Sequence, residues 1–172
     1  MLRPPLSAFC IDYPGIAREL VTDIVLVPKY PSTEEIIRQV ISNPLETTFR
    51  AIWDTGATHS VVTQRVIDKL NLSQQVIEFT EVHSVNSDPI LKPVYIVGGI
   101  ILPNRVMFMP QRFIESDIGG NYDVLIGMDI IAMGELTLSG YGGRTKFCFS
   151  YPPHHKRIDL KERNEKVNKR KK

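Results

Sequence analysis

Apolar and polar positions change rhythm several times along this chain. Residues 18–28, RELVTDIVLVP, enter a continuous Val/Ile/Leu run that stops at Pro28, which predicts a strand. Ser32 and Glu35 have the spacing of a capping box, and IIRQVI follows at helical spacing until Asn43-Pro44, so a short helix is predicted over 33–42. Residues 47–53, TTFRAIW, are β-branched and aromatic and predict a strand, which delivers the chain to a turn at Asp54-Thr55-Gly56-Ala57. Over 61–70, Val62, Val66, Ile67 and Leu70 fall on one helical face. Short stretches rich in Val, Ile, Tyr and Phe follow at 76–83, 90–101, 104–109 and 122–127, separated by Asp-Pro, Pro-Asn and Gly-Gly turn signals. Residues 126–136 read as a strand end, a short helix and a glycine stop, and 135–139 with 144–150 read as a hairpin around GYGG. Many short strands with two or three short helices predict a mainly β, barrel-like domain.

Composition narrows the class. The chain has 172 residues, enough for one domain with a self-sufficient core, and 42% of them are hydrophobic. No apolar run approaches the roughly 18 residues of a membrane span. The start, MLRPPLSAFC, lacks the apolar stretch and small-residue cleavage site of a secretory signal. Two cysteines, Cys10 and Cys148, are too few for a disulfide framework or a four-cysteine zinc site. Free thiols and a cytoplasmic address are the expectation. His154-His155 beside Cys148 lack further ligands at suitable spacing, so no metal and no cofactor is assigned. Gly98-Gly99 and Gly142-Gly143 lack phosphate-loop form and read as turns.

The net charge of +2 hides an asymmetry. Residues 156–172 hold nine Lys/Arg and three acids, +6, against −4 for the rest. With few apolar residues, this basic tail, set off as 153–172, reads as solvated and disordered or frayed helix. A basic arm for nucleic acid or another anionic partner is the sharper alternative, weakened by the lack of interleaved aromatics.

The sharpest chemical feature is AIWDTGATHS at 51–60, an apolar strand running into an acid, a hydroxyl residue and a glycine. An Asp-Ser/Thr-Gly triplet arises by chance in roughly one chain in ten of this length. The context sharpens it: some 70 residues on comes Val124-Leu125-Ile126-Gly127, an apolar strand ending in glycine, then MDIIAMG. Trp53 reads as a core residue beside the loop, and His59 as a loop residue held by packing or solvent rather than a base.

From Glu19 to Pro152 these residues resemble the retropepsin-like aspartic proteases, the single-lobed retroviral group with its cellular and bacterial relatives. The resemblance implies an acid-protease barrel over 19–152, preceded by an N-terminal segment over 1–18. It implies that Asp54 is the catalytic aspartate. Thr55 would brace the loop against a partner loop, Gly56 would face the substrate backbone, and Ala57 would sit beside the first side-chain pocket. A flap hairpin is implied over about 79–95, with Val85, Asn86 and Ser87 near its tip. The tip lacks the family's usual glycine, and Asn86 tolerates positive φ better than most residues. Ile126 would line the pocket with the flap. Thr58 and Met128 stand where retroviral members carry a pairing acid and arginine, which points to the cellular or bacterial branch.

Peptide hydrolysis without a covalent intermediate needs one group to take a proton from water and another to give one to the scissile carbonyl. Two close carboxylates sharing one proton do both. The chain has one Asp-Ser/Thr-Gly triplet, so the expected assembly is a two-fold homodimer acting on a peptide or protein. Two other readings compete. One is a catalytically silent dimer that binds peptides. The other follows from Asp54, Gly56 and Thr58, whose Asp-x-Gly-x-Thr pattern resembles the first phosphate loop of actin-like ATPases and sugar kinases. That fold needs two large α/β domains and a second phosphate loop, for which this chain is too short.

Overall fold

The computed structural model describes residues 7–28, 48–82, 88–102, 104–153 and 159–169. The helix expected at 33–42 lies outside them. Ten strands are described: β1 Ser7–Asp12, β2 Leu20–Pro28, β3 Thr48–Trp53, β4 Val61–Val62, β5 Glu78–Val82, β6 Ile90–Ile101, β7 Val106–Glu115, β8 Val124–Ile126, β9 Glu135–Ser139 and β10 Lys146–Tyr151. The α-helices are α1 Gln64–Lys69, α2 Met128–Ile131 and α3 Leu160–Lys169. The fold is mainly β, as the pattern of short apolar stretches predicts.

Seven strands run in the order β2-β3-β8-β4-β7-β6-β5, and β2 also pairs with β6. That extra ladder closes six of them into a barrel, with β5 attached outside the ring on β6. Closure removes the open edges that a sheet otherwise presents. IVLV in β2 does not alternate because both of its faces are packed. Ile24 and Leu26 join the main core while Val25 and Val27 form a second cluster with Ile100, so the strand is buried on both faces.

The β6–β7 ladder carries an irregularity that sequence pattern could not foresee. Val97 pairs with Gln111 and Gly99 with Phe108, so two residues of β7, Met109 and Pro110, oppose Gly98 alone. Pro110 has no N–H to offer a ladder and sits where the ladder is interrupted. The extra residue shifts the parity of β7, and Phe108 and Phe113, five apart, are both buried. The strand therefore continues to Glu115, past the limit expected at 109. Gly98-Gly99 is not a turn but lies within β6. A Cβ at Gly99 would lie 2.4 Å from the Phe108 ring, so the glycine makes room for that side chain.

A second sheet, β1-β10-β9, packs against the barrel. Its inner side chains Phe9, Phe147 and Phe149 surround Trp53 at centroid distances of 6.0, 5.1 and 4.8 Å. Antiparallel pairing sets Cys10 directly opposite Cys148, and the two form a disulfide. The expectation of free thiols is thereby corrected. β1 has no local signal in the sequence, because its partner lies 138 residues away. With the thiols paired, the argument they gave for a cytoplasmic address falls away. No helix among the described residues is long and apolar enough to cross a membrane. In the tail, α3 is exposed along its whole length, and the basic residues flanking it lie outside the described set.

Candidate active site

The loop at 54–57 is positioned by the strand before it. In β3, Phe49, Ala51 and Trp53 point into the core, and Arg50 points out. β3 lies between antiparallel β2 and parallel β8, whose register sets Trp53 opposite Ile126. Trp53 is locked in its aromatic surround, and its indole N–H donates to Thr22 Oγ1 at 3.0 Å. The residue after this anchored tryptophan is Asp54, so the aspartate leaves the barrel from a fixed point.

Asp54 is then held from two sides. Its N–H donates to the Ile126 carbonyl at 3.0 Å, extending the β3–β8 ladder by one bond. Its Oδ1 accepts the Gly56 N–H at 2.7 Å, and the Ala57 N–H donates to its carbonyl at 3.3 Å. A short acidic side chain bonding the backbone two residues on is a turn-former by its own chemistry. The turn leaves Asp54, Thr55 and Gly56 exposed and Ala57 half-buried. An exposed carboxylate held by a backbone donor can bind water or a polar substrate group without first leaving the protein interior.

Ile126 is placed differently from the pocket position expected of it. β8 lies between β3 and β4, and its Val124 and Ile126 are completely buried while Leu125 is partly exposed. Strand alternation therefore turns the Ile126 side chain into the core, and its contribution to the loop is its backbone carbonyl. β5 and β6 pair antiparallel from Glu78↔Val94 to Val82↔Ile90, forming the stem of a hairpin. Val85, Asn86 and Ser87 lie outside the described residues.

Gly127 fills a gap that admits no side chain. A Cβ there would lie 2.7 Å from the backbone carbon and oxygen of His59 and 3.1 Å from the Ala57 oxygen. The apolar strand must end in glycine because residues 57–59 lie directly against it. Beyond it, the Met128 and Asp129 N–H groups donate to the Ala57 and Thr58 carbonyls at 2.8 and 3.2 Å. His59 and Thr58 are exposed, as is the Met128 side chain.

Two residues were not singled out from the sequence. Ser60 is completely buried, and its N–H and Oγ both reach the Asp129 carboxylate. They are 69 residues apart, so no local spacing signals the pair. Nearby, Asp123 is buried and accepts from the Arg50 N–H at 3.0 Å and the Arg65 guanidinium at 2.7 Å, tying β8 to β3 and α1. In the β6–β7 hairpin, the Tyr95 hydroxyl donates to Glu115 at 3.2 Å. Burial first, then that carboxylate, pushes its pKa up to about 12. Among the described residues no cluster of three or more His, Cys, Asp or Glu could hold a metal ion.

Comparison with known proteins bears on the fold and the family. A family model described as aspartyl protease matches residues 41–130, slightly more than half of the chain, and spans both the Asp54 loop and Gly127. No curated protein matches. Among solved structures, the chain is similar to a retropepsin-like aspartic protease from Rickettsia conorii, with a TM-score of 0.54. That similarity covers 87% of this chain and 98% of the other at 10% identity, so it speaks to the fold alone.

Proposed function

The chain belongs to the aspartyl protease family, and on that premise we propose that it is an endopeptidase active as a homodimer, with one Asp54 from each protomer. The observation that carries the reading is the Asp54 loop itself: an exposed carboxylate on a rigid turn, anchored between Trp53 and the Ile126 carbonyl. One such triplet occurs in the sequence, so a two-fold axis beside the loop is the direct way to bring two carboxylates together.

In the dimer the two Asp54 side chains share one proton, because close like charges cannot both ionise easily. The ionised partner takes a proton from a water held between them. The protonated partner gives its proton to the carbonyl oxygen of the scissile peptide as water attacks the carbon. The resulting gem-diol collapses with proton transfer to the leaving nitrogen. Thr55 braces each loop against its partner, and Gly56 and Ala57 leave room for an extended substrate backbone. Peptide docks as an added strand between the loop and the β5–β6 hairpin, with main-chain hydrogen bonds giving affinity and side-chain pockets giving choice.

The test is incubation of the purified chain with a diverse peptide mixture between pH 4 and 8, with products read by mass spectrometry beside Asp54→Asn. Cleavage by the wild type and none by the variant is the expected result. Equal cleavage by both overturns the assignment of Asp54. Peptide binding by a folded dimer without any cleavage overturns the protease reading in favour of a binding protein.

A further inference from the structure

We infer that Ser60 and Asp129 form a positioning pair that fixes the Asp54 loop against the start of α2. The inference rests on the reading of that loop as the active site. Neither residue touches substrate in this account. They act through the backbone they hold.

The hydrogen bonds have a fixed sense. The Asp129 carboxylate can only accept, so the Ser60 hydroxyl proton goes to Oδ1 at 2.6 Å. The Ser60 N–H goes to Oδ2 at 2.8 Å, and the Ile130 N–H adds a second donor to Oδ1 at 2.9 Å. With its proton committed, the Ser60 oxygen offers a lone pair, and the Gly127 N–H donates to it at 3.0 Å. A chain therefore runs from the Gly127 amide through the Ser60 hydroxyl to the Asp129 carboxylate. Hydrogen bonds ending on a charged acceptor are the stronger kind. Ser60 is wholly buried, so water cannot replace its contacts cheaply.

Placement gives the pair its significance. Gly127 touches the backbone of residues 57–59, and Met128 and Asp129 donate to the carbonyls of 57 and 58. The segment leading out of the Asp54 turn is thus stapled to the segment leading out of β8, whose Ile126 carbonyl holds the Asp54 N–H. No charged pair spans positions 58 and 128, which are threonine and methionine. Among the described residues, the side-chain links across this junction run through Ser60, to the Asp129 carboxylate and to the Gly127 N–H. A buried serine whose hydroxyl has partners for both its proton and a lone pair, and which reaches the carboxylate through both its N–H and its O–H, admits few alternative geometries. Asp54 needs that constancy, because catalysis by paired carboxylates depends on placement within a fraction of an ångström.

Three variants test the inference in the full chain: Ser60→Ala, Asp129→Asn and Ser60→Thr. Ser60→Ala removes the hydroxyl link. Asp129→Asn keeps the shape but turns an amide NH2 toward an N–H donor. Ser60→Thr keeps the hydroxyl. The expected result is a fall in kcat of roughly 100-fold for the first two, with KM within about threefold of wild type, and recovery of most of it in Ser60→Thr. Amide hydrogen exchange is the second readout. The Asp54, Ala57 and Met128 N–H groups keep their backbone partners in every variant, so a loosened loop accelerates their exchange by more than about tenfold while β2 and β6 stay protected. Exchange that rises equally in β2 and β6 overturns the inference, since the pair is then a general stabiliser. So does a kcat within about threefold of wild type. If the wild type cleaves no peptide, the protease reading fails by itself. The pair is then judged by exchange alone: acceleration confined to residues 54, 57 and 128 upholds it, and unchanged exchange there overturns it.

Discussion

Replacing Gly127 by alanine adds one methyl group at the junction on which the site depends. The new Cβ would stand 2.7 Å from the His59 backbone carbon and oxygen, where ordinary contact begins near 3.4 Å. The shortfall is about 0.7 Å, and the atoms met are main chain, so no rotamer relieves it. Either residues 57–59 move outward by that amount or β8 moves inward on a packed core. Overpacking of this kind costs about 1–3 kcal/mol. Outward movement also shifts the segment next to Asp54 and misaligns the carboxylate, for a loss of roughly 10- to 100-fold in kcat. Urea unfolding gives the first quantity and peptide turnover the second. Gly140→Ala is the control: nothing lies within 4 Å of its added Cβ and φ is −108°, so stability should stay within about 0.5 kcal/mol of wild type. A Gly127→Ala protein as stable and as active as the control would refute the claim that backbone contact at this glycine sets the loop.

Other outcomes follow from the packing around the site. Removing the disulfide by Cys10→Ser with Cys148→Ser should lower stability by about 2–5 kcal/mol in denaturant titration, since the bridge closes a loop of 138 residues. Phe149→Ala empties one side of the surround of Trp53 and should cost about 3–5 kcal/mol, read as a lowered Tm. Asp123→Ala removes the buried carboxylate that accepts from the Arg50 N–H and the Arg65 guanidinium, and should cost about 1–3 kcal/mol by urea unfolding. Tyr95 ionises at 10.0 when unfolded and at about 12 when folded, so between these values the unfolded chain has lost a proton that the native one keeps. Its stabilising contribution is complete below pH 10 and lost as pH rises through 12. Tyr95→Phe should flatten that alkaline decline in denaturation midpoints measured across the range.

Strand identities were legible in the sequence wherever burial wrote itself into a local pattern. β2, β3, β6 and β9 fall close to their expected limits because each is a run of apolar or β-branched residues bounded by turn residues. Val61-Val62 was less legible, since its apolar residues also fit the face of the following helix, and the ladders to β7 and β8 decide for a strand. Pro110 hid the second half of β7 because a proline argues against a strand unless a bulge receives it. β1 and the disulfide were hidden because their information lies in pairing with β10 at the far end of the chain. The Asp54 loop and Gly127 stood out because their chemistry is local: an acid that caps its own turn, and a glycine that must be small. Ser60 and Asp129 did not, because each is an ordinary polar residue until the fold brings them together.

In the proposed dimer each active site takes one Asp54 from each of two chains. The direct measurement is turnover in mixtures of wild type with Asp54→Asn, exchanged to equilibrium at fixed total concentration. If both carboxylates are needed, an equal mixture retains about one quarter of the wild-type activity, the fraction of dimers with two intact loops under random pairing. Activity that stays in simple proportion to the wild-type share would contradict the account, since each chain would then be working alone.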